Sequence, residues 1–399
     1  MKLRFFNLVK ISLATALLLG ASHHSIGQNP IALAAPNMTS QAGFNTTCTA
    51  LKKIPANQAS TLTKQNVQAW VICNDIALLQ QTAAWAFNAF KRLDSRGPDG
   101  IDLKNTTFVN FYIQTQLSYM QSQLSASRLV LRDLKIEAKD SLQLRPQTWM
   151  LDVDGDGVMS GWERRFFALP NRSNDIEPSF DMPGDSDNVQ MQALIKTDQT
   201  DVLWALSYHQ FIEGLVEMAR SQTLNTSSEN GFNDMLTLTD KGAWARAYGL
   251  IKDGFATSQT MRTAALAETD DDYEWLPNPN QKNSTFPLLL DKNDYATWGN
   301  TLTEINLLWT GKTLLEPSNL VRGILGSAAR WCEPGSGLDV IKLFGDQAPR
   351  SLLNLGQYTQ ACSPLSAERP SSNLLKTLET RAATGDMSSK MLRYLYWVN

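Results

Sequence analysis

The sequence predicts a mainly α fold, a multi-helix globular array with little or no β-sheet. Three observations predict it. Apolar residues recur at steps of three and four through several long stretches. Sustained alternation of apolar and polar residues, the mark of a half-buried strand, is scarce. The chain breakers fall between the periodic stretches rather than inside them.

The elements follow in order. Lys2, Arg4 and Lys10 precede an apolar run, ISLATALLLGA, at positions 11–21. That run is too short to span a bilayer and has the length of the apolar part of an export signal. Residues 1–34 are therefore read as a signal peptide. Ala32-Leu33-Ala34 fits a cleavage site with Ala35 as the new terminus, and Ser25-Ile26-Gly27 before Gln28 is the alternative. An uncleaved anchor is the competing reading of the same run. The absence of a cysteine next to it argues against a bacterial lipid anchor.

Two helical regions are expected, 35–170 and 188–399. The polar stretch 170–187 (PNRSNDIEPSFDMPGDSD), with three prolines, is the candidate boundary between them. About 365 residues suit one large domain or two ordinary ones. In the first region Ile72, Ile76, Leu79, Ala83, Phe87 and Phe90 form one stripe, and 106–138 reads as one or two further helices. DSRGPDG at 94–100 is a turn between them. In the second region the stripes are Trp204, Tyr208, Phe211, Leu215 and Met218; Trp244, Tyr248, Ile251 and Phe255; and Tyr295, Trp298, Leu302, Ile305 and Trp309. These aromatic stripes read as core seams rather than cofactor boxes. Residues 269–287 and 333–337 are irregular, and 387–398 is a last helix expected to dock on the core.

Charge narrows the partners. The chain carries 36 basic and 39 acidic residues. Residues 1–34 hold three of the basic ones and none of the acidic ones, so the processed chain has 33 against 39 and a net charge of −6. Mild acidity gives no footprint for nucleic acid or anionic lipid. No segment after the signal has the length and apolarity of a transmembrane helix. Export, to a periplasm or to the outside, is the expected destination.

Four cysteines, Cys48, Cys73, Cys332 and Cys362, suit that compartment as two disulfides. Three pairings are possible. Cys48–Cys73 and Cys332–Cys362 are favoured because each closes a short loop, worth about 3–4 kcal/mol on the chain-entropy model. Buried free thiols are the alternative. A Cys-ligated zinc site is disfavoured, since no CxxC pair exists. His209 is the single histidine after the signal. Its helical setting reads as a residue contacting its own core.

One stretch stands out chemically: DVDGDGVMSGWE, positions 152–163, with four carboxylates in twelve residues. Asp152, Asp154 and Asp156 take alternate places, so their side chains can converge on one point. Gly157 sits where the chain must turn sharply. The stretch resembles the EF-hand calcium loop at each diagnostic position. The resemblance implies carboxylate ligands from Asp152, Asp154 and Asp156 and the backbone carbonyl of Val158. It implies Ser160 as a direct or water-mediated ligand, and bidentate Glu163 from the first turn of an exiting helix over 161–169. It also implies that Met159 packs the loop onto the core. Hard oxygen donors, seven in number and tolerant in distance, suit Ca²⁺ better than Mg²⁺. The match covers about twenty residues. Pro146 lies six residues before Asp152, which leaves room for at most a turn and a half of entering helix. No partner loop is visible. The acidic stretches 181–187 and 268–274 lack the required glycine and read as solvated turns.

The expected function is that of an exported calcium-binding protein in which the ion is structural. A calcium-responsive interaction or adhesion module is the first alternative, and a carboxylate-based hydrolase the second. For the hydrolase, Glu213 and Glu217 and the 268–274 cluster offer paired carboxylates. Their spacing equally fits a solvated helix face, and no GxSxG, Walker A, GxGxxG or HExxH motif occurs. No catalytic residue is assigned.

Overall fold

The computed structural model describes residues 33–94, 105–169, 189–190, 192–225, 231–316 and 332–374. The turn expected at 94–100, the boundary at 170–187 and the helix at 387–398 lie wholly or largely outside these residues.

The helices are α1 (Gln41–Leu51), the single turn α2 (Ala56–Ala59), α3 (Lys64–Asp94), α4 (Thr106–Asp133), α5 (Gln199–Arg220), α6 (Lys241–Ala267), α7 (Lys292–Trp309) and the short α8 (Val340–Phe344). The long ones begin where a polar side chain can accept an otherwise unpaired amide. Ser40 accepts from Gly43, Asn105 from Phe108 and Asp240 from Ala243. Asp198 with Asp201, and Asp291 with Asp294, form reciprocal capping boxes at α5 and α7. The expected helix over 106–138 ends at Asp133, because Leu134 is extended, and a 3₁₀ turn follows at Ala138–Asp140.

The strands are β1 (Gln143–Leu144), β2 (Ile195–Lys196), β3 (Gln222–Leu224), β4 (Leu236–Leu238), β5 (Ser336–Leu338) and β6 (Cys362–Pro364). They pair antiparallel as β1–β2, β3–β4 and β5–β6, in three separate two-stranded ribbons. The β1–β2 register sets Gln143 opposite Lys196 and Leu144 opposite Ile195. Among the described residues the fold is thus mainly α, with sheet confined to short two-stranded antiparallel pieces.

The predicted stripes on α6 and α7 become buried seams at Trp244 and Ile251 and at Tyr295, Trp298 and Leu302, whereas the stripe expected on α5 does not: Trp204, Tyr208, Phe211 and Met218 are half-buried and Leu215 is 55% exposed. α5 packs between α4 and α6. Val202, Leu206, Ile212 and Val216 face inward from α5, and Trp244, Ala247 and Ile251 from α6. Gly214 makes close approach possible: a Cβ there would stand 2.6 Å from Ile251 Cγ1. One apolar cluster joins Leu51, Trp70, Val153 and Leu169 to Ile195, Met261, Trp275 and Trp298. Residues from both sides of 170–187 therefore share one core. Smaller clusters lie around Leu78, Leu124 and Ile212, and around Trp244, Leu308 and Phe344.

Both disulfides form in the favoured pairing. Cys48–Cys73 ties α1 to α3, and Cys332–Cys362 ties the β5–β6 ribbon. Among the described residues no helix is long and apolar enough to cross a membrane.

Candidate functional site

The acidic loop is built between two 3₁₀ turns, Pro146–Thr148 and Glu163–Arg165. Its entry is pinned from two sides. The Gln41 side chain exchanges bonds with the Met150 backbone, and Gln80 Nε2 donates to the Asp152 carbonyl at 2.8 Å. Leu151 and Val153, both buried, carry the loop into the main core.

Within the loop the aspartates organise the backbone. Asp152 Oδ1 accepts from the Gly155 amide at 2.8 Å, and Oδ2 from the Gly157 amide at 3.0 Å. Asp154 Oδ1 accepts from Asp156 at 3.1 Å, and Asp156 Oδ1 from Val158 at 2.7 Å. Gly157 has φ +80°, in the left-handed region that only glycine enters freely. Folding the chain this tightly brings one carboxylate oxygen each from Asp152, Asp154 and Asp156 within 4.8 Å of one another. Burial first, and then the charges of Glu163, Asp156 and Asp152, raise the Asp154 carboxyl above its ordinary value. The amide of Asp156 opposes this. The loop thus concentrates negative charge that water only partly screens.

Glu163 is fully buried and stands outside that convergence. Oε1 accepts from the amides of Val153 at 2.7 Å and Asp154 at 3.4 Å. Oε2 accepts from the amide and hydroxyl of Ser160 at 2.8 and 2.6 Å. Burial alone would raise its carboxyl, but these bonds from Ser160, Val153 and Asp154 outweigh it and hold the group low. Glu163 therefore joins the two ends of the loop. Val158, whose carbonyl the calcium-loop resemblance implicates, is 66% exposed.

Two details differ from expectation. The exiting helix over 161–169 is reduced to the 3₁₀ turn at 163–165. Trp162, Phe166 and Leu169 stand at the spacing of one helical face, but Phe167, on another side, also reaches the core. Pro170 follows, which disfavours helix at Leu169. The apolar anchors are Leu151 and Val153, whereas Met159 is only half-buried.

Glu213 and Glu217 are buried on α5. Arg128 of α4 holds Glu213 at 2.5 Å, and Arg220 and Arg246 hold Glu217 at 3.3 and 3.1 Å. Gln121 also donates to Glu217 at 2.7 Å. The apolar stripes of four helices leave one polar row, and arginines from neighbouring helices fill it. His209 continues that row one turn earlier. It is buried, as expected, with Nδ1 at 2.7 Å from the Ala205 carbonyl and Nε2 at 3.2 Å from Asp75 Oδ1. Burial opposes its charging, but Asp75, the Ala205 carbonyl and Glu213 outweigh it and raise its pKa.

A second convergence lies elsewhere. Asp198, Glu268 and Glu274 bring carboxylate oxygens within 4.8 Å of one another. Thr269, Asp270, Asp271 and Tyr273 are exposed, as a solvated turn requires, but Glu274 is 3% exposed and Glu268 is half-buried, so these two carboxylates turn inward. Sequence reasoning missed Asp198, which reads as a helix cap and is one. Its proximity to Glu268 depends on α5 and α6 crossing, which local pattern does not encode.

No family model, no curated protein and no solved structure matches this chain.

Proposed function

We propose that the chain is an exported protein that holds one calcium ion in the 152–163 loop, and that the ion is structural. The observation that carries this reading is the convergence of Asp152, Asp154 and Asp156 within 4.8 Å. Three hard anionic oxygens at that spacing repel one another unless a cation sits among them. The Val158 carbonyl and the Ser160 hydroxyl would add oxygen donors of the same chemistry. Glu163 fits the set as well. Both of its oxygens already accept two bonds, so Glu163 would reach an ion where the Ser160 hydroxyl or the distant Asp154 amide gives up its place. Calcium would supply compensating charge, and flexible oxygen distances favour it over magnesium.

The flanks favour a staple over a switch. A calcium sensor changes the angle between two helices that leave the loop. Here both flanks are single 3₁₀ turns, and the loop rests on α1 and α3, which a disulfide joins. The two disulfides suit an oxidising compartment, which supports export. A calcium-rich exterior would then keep the loop occupied.

The test is a thermal melt in EDTA and in millimolar calcium, on the wild type and on Asp154→Ala. At calcium tenfold above the dissociation constant, wild type should gain about 1.4 kcal/mol, a rise of a few degrees, and the variant nothing. A calcium-induced rise in apolar dye binding would move the reading to a responsive module. An unchanged midpoint in wild type would remove calcium from the loop.

A further inference from the structure

Among the described residues the second set of carboxylates has no basic side chain paired with it. Asp198 caps α5, Glu268 ends α6, and Glu274 lies in the irregular segment that follows α6. Thr200 of α5 donates its hydroxyl to Glu268 Oε1, while Glu268 Oε2 is buried with no hydrogen-bond partner. Glu274 Oε1 accepts from the amide of Asp272 at 3.1 Å.

The surrounding charges do not neutralise the set. On α5 it faces Asp198 and Asp201, and burial and those neighbours raise Asp201 as well. On the segment itself lie Asp270, Asp271 and Asp272. Lys196 of β2 is engaged by Asp272. Arg262 of α6 donates Nε to the Tyr295 carbonyl at 2.8 Å, and Tyr295 of α7 gives its hydroxyl to the Pro277 carbonyl at 2.9 Å. Among the described residues no cation makes an ion pair with Asp198, Glu268 or Glu274.

We propose that Asp198, Glu268 and Glu274 form a proton-held clasp that fastens the 268–274 stretch to the amino-terminal end of α5 and loosens it when the protons leave. Where half-buried and buried acids meet with no basic side chain among them, a shared proton relieves the repulsion, because a protonated carboxyl donates where a carboxylate can only accept. The backbone around the clasp reports on it. The Lys196 amide donates to the Tyr273 carbonyl at 3.0 Å, the Glu274 amide to Asn283 at 3.1 Å, and the Thr285 amide to Glu274 at 3.3 Å. Trp275, Leu276 and Phe286 are buried beyond it, so loosening is local and the core anchors remain.

The pH window follows from burial and mutual repulsion. Burial first, then Asp198, lifts Glu268 from its ordinary 4.5 to about 9. Burial, then the charge of Asp198, lifts Glu274 to about 7 against the amide bond from Asp272. Both groups hold protons when folded at a pH where the unfolded chain has lost them. Their contribution is therefore complete below pH 4.5 and lost as pH rises through about 7 and then about 9.

The test is site-resolved hydrogen exchange of the full chain in EDTA from pH 5 to 9.5, expressed as protection factors. In wild type, protection at the Lys196, Glu274 and Thr285 amides should fall by about tenfold or more across that range, on the scale of tenfold per pK unit. Amides of α4 should not change. Glu268→Gln combined with Glu274→Gln keeps the shape and donates permanently at both titrating positions, so protection in this double variant should vary by less than about twofold, on the same scale. Glu268→Gln alone should keep only the loss centred near pH 7. A wild-type profile as flat as that of the double variant overturns the clasp. So does recovery of protection at pH 9 when calcium is added to the Asp154→Ala chain, which would assign the carboxylates to a cation.

Discussion

At the scale of single residues, Glu163 and the three aspartates have separable duties. Glu163 is buried and bonded to both ends of its loop. Glu163→Gln should therefore destabilise the fold by about 1–3 kcal/mol even in EDTA, because amides of Val153 and Ser160 lose a charged acceptor. Asp154→Ala should cost little in EDTA, since it relieves like charge, and should abolish the calcium response. Denaturant unfolding with and without calcium separates the two. Equal losses for both variants in EDTA would contradict this division. The loop's donors were legible in the sequence because their spacing of two and the glycine at 157 are local properties. The fate of Glu163 was not. Its partners Val153 and Ser160 are close in sequence, but its complete burial is an outcome of the tertiary fold that local spacing does not encode.

At the scale of elements, α5 carries the main departure from a simple amphipathic pattern. The spacing of Glu213 and Glu217 matches a solvated face equally well, and only the arginines of α4 and α6 reveal them as interior groups. Those arginines are remote in sequence, so pattern reading has no access to them. Glu217→Gln should cost about 3 kcal/mol, because Arg220 and the Arg246 head lose a buried partner. Arg246→Ala should cost far less, since its side chain is 52% exposed. A chemical-denaturation series that ranks these two in reverse would refute the assignment. Gly214→Ala should cost about 1–3 kcal/mol through contact with Ile251, and less in an Ile251→Ala background. The helices themselves were legible because their stripes run long and their caps are explicit. The 3₁₀ turns around the loop were not, since they arise where tertiary packing draws on several faces at once.

At the scale of the molecule, covalent and non-covalent ties converge on the same corner. Cys48–Cys73 spans 25 residues and joins the two helices from which Gln41 and Gln80 hold the acidic loop. Replacing both cysteines by serine should lower stability by about 3.5 kcal/mol. It should also weaken calcium binding measured by calorimetry, because the loop's two supports then move independently. Unchanged affinity would show that α1 and α3 hold the loop without the bridge. The polar row on α5 has a further consequence, for alignment. His209, Glu213 and Glu217 recur every four residues and meet Asp75, Arg128 and Arg246 in turn. An apolar seam alone would tolerate α5 sliding by one turn, about 5.4 Å, since leucine-like residues replace one another. The row does not. Sliding one way sets His209 against Arg128, and sliding the other way sets Glu213 against Asp75. Either misfit pairs donor with donor or acid with acid, so the bundle carries a lock with one working position.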